Sequence, residues 1–163
     1  MPEDIYEKIL ASLESKGIRV VVDATKDLLL NVLKYHPFLI KPNNHELGEM
    51  FGTVCKTDED IVHYAKKLQE KGAVNVLISM AGDGAILITE DGQNIKMGTP
   101  KGKVVNSVGA GDSMVAGFIT GYIRGGNYEE ALKSGTAAGS ATAFSEGLAS
   151  LEMYEKMLKQ ITE

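Results

Sequence analysis

Ile18-Arg19-Val20-Val21-Val22-Asp23 is a short, β-branched apolar run that stops on an acid. Continuous apolar character of this kind suits a strand covered on both faces, as in a parallel sheet, whereas a half-solvated strand alternates. Before it, Pro2 to Lys16 places Ile5, Ile9, Leu10 and Leu13 on one helical stripe, and Gly17 stops the helix. After it, a helix is expected over about 26–34 and a second short strand at Phe38-Leu39-Ile40. Lys41-Pro42-Asn43 ends that strand, and a short helix runs on to about Phe51. Thr57 caps a further amphipathic helix carrying Ile61, Tyr64, Ala65 and Leu68, closed by Gly72, and Val74 to Ser79 is the next strand. Helix and buried strand alternate, which makes this part α/β.

The rhythm then changes. Asp83-Gly84 and Asp91-Gly92 are turn dipeptides around Ala85 to Thr89 and Asn94 to Met97, an expected antiparallel extension. Lys103 to Val105 reads as a last strand. From Ala110 onward only helices are expected, over about 112–124, 128–144 and 150–161. Together these elements predict a three-layer α/β/α sandwich with a mostly parallel sheet.

A chain of 163 residues suits one domain of ordinary size. Its 17 Lys and Arg against 22 Asp and Glu give a net charge of −5, with Arg19 and Arg124 the only arginines. Nucleic-acid binding needs a basic stripe, and none is present. No apolar run approaches the roughly 20 residues that span a bilayer. The acidic start, Met1-Pro2-Glu3-Asp4, is unlike a signal peptide, and the one cysteine, Cys55, can form no internal disulfide. A cytoplasmic protein with no nucleic-acid or membrane partner is expected. His36, His45 and His63 share no metal-ligand spacing, and Cys55 reads as a small packing residue.

Glycine is enriched, 18 residues, and one cluster carries chemistry. In Asn106-Ser107-Val108-Gly109-Ala110-Gly111-Asp112-Ser113, two glycines around an alanine let successive N–H groups curl about an anion. The helix that follows adds the positive end of its dipole. Asp112 stands where it could take a proton from a hydroxyl attacking a phosphoryl group. The simpler alternative makes Asp112 an N-cap and the glycines loop residues. No G-x-x-x-x-G-K-[ST] is present, and Met114 stands where G-x-G-x-x-G needs its third glycine.

Asn106 to Phe118 resembles the C-terminal signature of the PfkB (ribokinase-like) family of sugar kinases. Three further stretches agree in order and spacing. Lys41-Pro42-Asn43-Asn44-His45-Glu46-Leu47 resembles the family's Asn-x-x-Glu element, and Ser79-Met80-Ala81-Gly82-Asp83-Gly84-Ala85 its nucleotide loop. Gly135-Thr136-Ala137-Ala138-Gly139-Ser140 resembles the helix flanking the adenine. The resemblance implies a ribokinase-like fold, ATP and Mg²⁺, and a sugar phosphate as the other partner. It implies Asp112 as general base and the amides of Gly109, Ala110 and Gly111 as anion hole. Asn43 and Glu46 would organise Mg²⁺, with Lys41 close to the phosphates. Ser79, Ala81 and Gly84 would line the nucleoside, and Val108, Thr136 and Gly139 would close the adenine pocket. The branch it resembles most acts on ketohexose phosphates, with fructose 1-phosphate as the implied acceptor and tagatose 6-phosphate as the alternative. No stretch resembles the family's N-terminal glycine pair or its β-sheet lid. The chain thus looks like the C-terminal nucleotide-binding and catalytic half. Alone it would be inactive, a non-catalytic nucleotide-binding module, a homo-oligomer or a piece that pairs with the other half.

Simpler readings accompany these assignments. Asn43-x-x-Glu46 is also a capping box, and Lys41 alone is usually a solvated lysine. Ser79 to Gly84 is equally a tight turn, with Ala81 where the family commonly has its first glycine. Gly139 would also allow close helix packing. An unrelated α/β domain binding some other anion is the remaining alternative.

Overall fold

The computed structural model describes residues 5–162. The backbone divides into two compact units, Met1–Ser79 with Ile86–Asn94, and Met80–Ala85 with Ile95–Glu163.

The first unit opens with α1 (Ile5–Leu13), prolonged by a 3-10 turn over Glu14–Lys16 that ends at Gly17, φ 64. β1 is only Val21–Val22, shorter than the expected 18–22. Its partner β2 is only Leu39–Ile40, so the ladder has nothing to pair with earlier, apart from Phe38 N–H donating to Val20 O at 2.8 Å. α2 (Lys26–Val32) gives way to a 3-10 turn over Leu33–Tyr35, and α3 (Asn44–Met50) and α4 (Asp58–Glu70) precede β3 (Asn75–Ser79). β1 and β2 run parallel with Val21 opposite Leu39, and β2 and β3 run parallel with Ile40 opposite Val76.

β4 (Ala85–Ile88) and β5 (Asn94–Met97) complete a five-stranded sheet in the order β1-β2-β3-β4-β5. Residues 80–84 and 89–93 are too short to be parallel crossovers, which need a dozen residues or more, so these two joins are antiparallel. The sheet is mixed, as expected. Residues 75–78 and 85–88 are buried throughout, whereas β5 alternates between exposed and half-buried positions. Leu29, Leu39, Ile40, Leu47, Leu68, Leu77 and Ile78 are fully buried, each worth about 1.5–3 kcal/mol against exposure. Asn75 enters this core satisfied: it donates from Nδ2 to Phe38 O and accepts at Oδ1 from Glu90 N–H, both at 2.9 Å.

In the second unit, α5 (Ala110–Gly125), α6 (Tyr128–Ala143) and α7 (Leu151–Thr162) follow. Small residues set the α5–α6 approach. A Cβ on Gly117 would stand 2.6 Å from Ser134 O, and one on Gly121 2.6 Å from Glu130 O. α7 packs Met153, Tyr154, Met157 and Leu158 against Ala137 and Ala141 of α6. The strand expected at Lys103 to Val105 does not form. Val105 and Asn106 instead give their N–H groups to Ala143 O, at 2.8 and 3.1 Å, so the segment is tied to the end of a helix rather than to a ladder. Among the described residues no helix is long and apolar enough to cross a membrane.

Candidate active site

In the first unit, β1, β2 and β3 end at one edge of the sheet, and three segments gather there. Asn43 and Ser79 form a parallel bridge just beyond the regular ladder, with Ser79 N–H donating to Pro42 O at 3.3 Å. Asn43 caps α3. Its Oδ1 accepts from Glu46 N–H at 2.8 Å, and Glu46 Oε2 accepts from Asn43 N–H at 2.9 Å. The capping box suggested by spacing is therefore real, and it uses one oxygen of each residue. Glu46 keeps its second carboxylate oxygen. Mg²⁺ retains several waters and needs only one or two carboxylates, so this donor set fits an ion held largely through water. Among the described residues no group of three or more His, Cys, Asp or Glu could hold a metal by itself.

Lys41 is not a solvated lysine. Only 7% of it is exposed, and its Nζ lies 3.3 Å from Asp23 Oδ2. Asp23 follows β1 as Lys41 follows β2, so the parallel register brings the two together. Two cavities of this unit, about 390 and 420 Å³, open elsewhere, around the residues that precede β1, β2 and β3, such as Val20, His36, Phe38 and Val74. None of the predicted site residues lines either. Cys55 fits packing: burial, and secondarily the charge of Asp60, raise its thiol pKa, which opposes thiolate chemistry.

In the second unit, the turn after β3 closes on itself. Met80 N–H donates to Gly84 O at 2.8 Å, Asp83 N–H to Met80 O at 3.0 Å, and Thr99 Oγ1 to Gly82 O at 2.8 Å. Ala81 adopts φ 49, a left-handed conformation that glycine enters without penalty. Alanine at this position thus keeps a glycine-like backbone at a cost. Gly84 has φ 94, and a Cβ there would stand 2.0 Å from Met97 O, so no side chain fits.

α5 starts at Ala110, two residues earlier than the sequence suggests. Gly109 is its N-cap at φ 78, and Asp112 lies in the first turn rather than at the cap. Its carboxylate is exposed, and among the described residues it makes no hydrogen bond or ion pair. Ala110 N–H turns back to Ser107 O at 3.2 Å, and Ser113 N–H bonds Gly109 O at 2.9 Å. The amides of Gly111 and Asp112 lie in the first helical turn, where backbone donors lack intrahelical acceptors. Val108 is 78% exposed beside them. Thr136 is fully buried in α6, and its hydroxyl has no hydrogen-bond partner among the described residues. A Cβ on Gly139 would meet Ala110 O at 3.1 Å and Met114 Cβ at 3.2 Å. Gly139 therefore lets α6 pass close to the start of α5.

Residues 1–153 match the family described as pfkB family carbohydrate kinase. The chain belongs to this family. Among curated PfkB relatives, it is 49% identical to the 1-phosphofructokinase of Bacillus subtilis over 99% of this chain and 53% of that protein. It is 38% identical to the D-tagatose-1-phosphate kinase of Bacillus licheniformis, over 99% and 53%. Among solved structures it matches Arabidopsis thaliana ribokinase complexed with ribose and ATP, with TM-score 0.85 and 25% identity, over 97% of this chain and 53% of that one. The fold is ribokinase-like. The chain spans about half the length of the curated PfkB relatives it matches.

The sequence does not single out Asp23, the partner of Lys41. The signal was an acid closing a β-branched run, in the same position after its strand as Lys41 after the next. Nor does the sequence single out the side-chain bonds of Asn106 to Glu146 O and Val108 N–H, or of Thr142 to Ser113 Oγ. Asn106 is the first residue of the signature, but nothing in its spacing announced a bond across the fold.

Proposed function

We propose that this chain carries the nucleotide-binding and phosphoryl-transfer residues of an ATP-dependent sugar-phosphate kinase. The observation behind the reading is Asp112: an exposed carboxylate, unpaired among the described residues, in the first turn of α5 behind the left-handed Gly109. Phosphoryl transfer depends mostly on positioning and charge stabilisation, and a helix N-terminus offers oriented donors to an anion. Asp112 takes the proton of the attacking sugar hydroxyl as its oxygen bonds the γ-phosphorus of ATP and the bond to the ADP oxygen breaks. Of the amides of Gly109, Ala110 and Gly111, that of Ala110 is already given to Ser107 O at 3.2 Å, so the transferred group is assigned to Gly109 and Gly111, joined by Asp112 in the first helical turn. Asn43 and Glu46 would hold Mg²⁺ through water, and the ion supplies charge neutralisation at the phosphates. Lys41, held by Asp23, adds positive charge on the same sheet edge. Ser79, Ala81 and Gly84 are assigned to the nucleoside, with Val108, Thr136 and Gly139 closing its adenine pocket.

The acceptor we assign is fructose 1-phosphate, giving fructose 1,6-bisphosphate. Relatives named for the 1-phosphates of fructose and tagatose favour a ketohexose 1-phosphate over tagatose 6-phosphate. A second reading is a non-catalytic nucleotide-binding module, favoured by the chain's covering only about half of its relatives. Titration calorimetry with magnesium and a non-hydrolysable ATP analogue tests what both readings share. Saturable one-to-one binding, weakened when magnesium is chelated, is expected. Absence of binding would leave the third alternative, an α/β domain for another anion.

A further inference from the structure

The loop after α6 is tied to the start of α5 by two side-chain bridges that share no atom, one through Asn106 ahead of α5 and one through Thr142 in the last turn of α6. Asn106 donates from Nδ2 to Glu146 O at 3.0 Å and accepts at Oδ1 from Val108 N–H at 3.0 Å. One amide thus fixes the turn entering Gly109 and anchors it to residue 146. On the other side, the hydroxyl of Thr142, 1% exposed, donates to Ser113 Oγ at 2.9 Å and accepts from Ala149 N–H at 3.4 Å. Leu148 lies between these anchors, and its Cδ2 would stand 3.3 Å from a Cβ on Gly109.

We propose that Asn106 and Thr142 are positioning residues, and that residues 146–149 act through them as a latch holding the first turn of α5. The proposal rests on the phosphoryl-transfer reading for its purpose, but not for its geometry. Neither side chain need touch substrate. Gly109 ahead of α5 and Gly111 in its first turn make this corner costly to hold, because glycine has the largest backbone entropy to lose. A donor displaced by about 1 Å can lose two orders of magnitude in rate. A loop of two glycines that must present amides at fixed points needs an external brace, and each bridge carries a bond from the loop to a backbone group across the fold. Ser113 and Val108, the two contacts on the loop side, bracket Gly109 to Asp112. The brace therefore acts on both ends of the catalytic segment.

The test uses Thr142→Val, which keeps volume and removes the hydroxyl, Asn106→Ala, and Ser145→Ala as control. The Ser145 hydroxyl donates to Ala141 O at 2.8 Å, so removing it touches neither bridge, and its N–H keeps its own bond to Thr142 O. Amide hydrogen exchange on the unliganded chain is read at the far bridge. Thr142→Val should speed exchange at Val108 about tenfold, and Asn106→Ala should do the same at Ala149, with Ser145→Ala changing neither. Affinity for the magnesium complex of a non-hydrolysable ATP analogue should fall about tenfold in each variant. It should fall little further in the double variant, since groups acting through one element are not additive. Unchanged exchange at the far bridge overturns the latch, whatever the nucleotide does. Latch-like exchange without any nucleotide binding upholds the brace and sinks the nucleotide reading instead. Affinity loss equal in the Ser145→Ala control reduces Asn106 and Thr142 to general stability, and also overturns it.

Discussion

Ala81 shows how a single residue other than glycine holds a left-handed backbone. Its φ of 49 is left-handed, where a Cβ costs roughly 1–2 kcal/mol. Glycine would remove that strain and lose some of the gain to unfolded-chain entropy, about 0.5–1 kcal/mol. Ala81→Gly should therefore stabilise the chain by about 0.5–1 kcal/mol in urea unfolding, with an unchanged slope; a destabilised variant would show the conformation is not strained. An alanine where the resemblance expects glycine was readable from the sequence, because Gly82 comes one position late. How the chain absorbs it was not, since φ is a property of the closed turn. The same limit hid Lys41. A lysine beside a proline looks solvated, and only the register Val22 opposite Ile40 shows that the residue after each strand, Asp23 and Lys41, must face its neighbour.

At the scale of elements, helices with caps were the most legible. Thr57 opens a capping box in which Asp60 Oδ2 accepts the N–H groups of Lys56 and Thr57, at 2.9 and 3.0 Å. Those bonds hold the Asp60 carboxyl below its usual range. A depressed carboxylate contributes stability that is complete above its unfolded pKa, near 3.9, and lost as pH falls through the lower folded value. Wild-type stability should thus decline below about pH 4. Asp60→Asn should be less stable at pH 6 yet show a flatter decline, measured by urea midpoints from pH 6 to pH 3; parallel curves would refute the assignment. Strand ends were poorly legible. Two-residue ladders such as β1 and β2 are decided by the partner strand, not by local apolar runs, and 103–105 lost its strand to the Ala143 carbonyl. Packing between α5 and α6 was half legible through the glycines. Gly117→Ala would press a methyl within 2.7 Å of Ala138 Cβ, and overpacking of this kind costs about 1–3 kcal/mol. Thermal unfolding should register that loss, whereas alanine at Gly82, with nothing within 4 Å, should not reproduce it.

At the scale of the whole chain, the question is what these residues can do together. The proposed reading assigns a base, an anion loop, a metal-organising pair and a nucleoside loop, but no stretch of the sequence resembles a grip on a sugar. The relatives it matches are about twice as long. Holding two reactants in line is worth as much as about 7–11 kcal/mol of a barrier. A chain that binds nucleotide without aligning an acceptor forfeits most of that. With water left free at the γ-phosphate, residual turnover should be slow ATP hydrolysis. A coupled assay of ADP release should therefore give the same low rate with and without fructose 1-phosphate. Asp112→Asn should leave affinity for the ATP analogue within about threefold, because the substitution keeps size and alters only the proton acceptor. A strong, saturable stimulation by fructose 1-phosphate that Asp112→Asn abolishes would show that these 163 residues contain the acceptor site as well, and that the sugar is held by side chains no sequence motif announced.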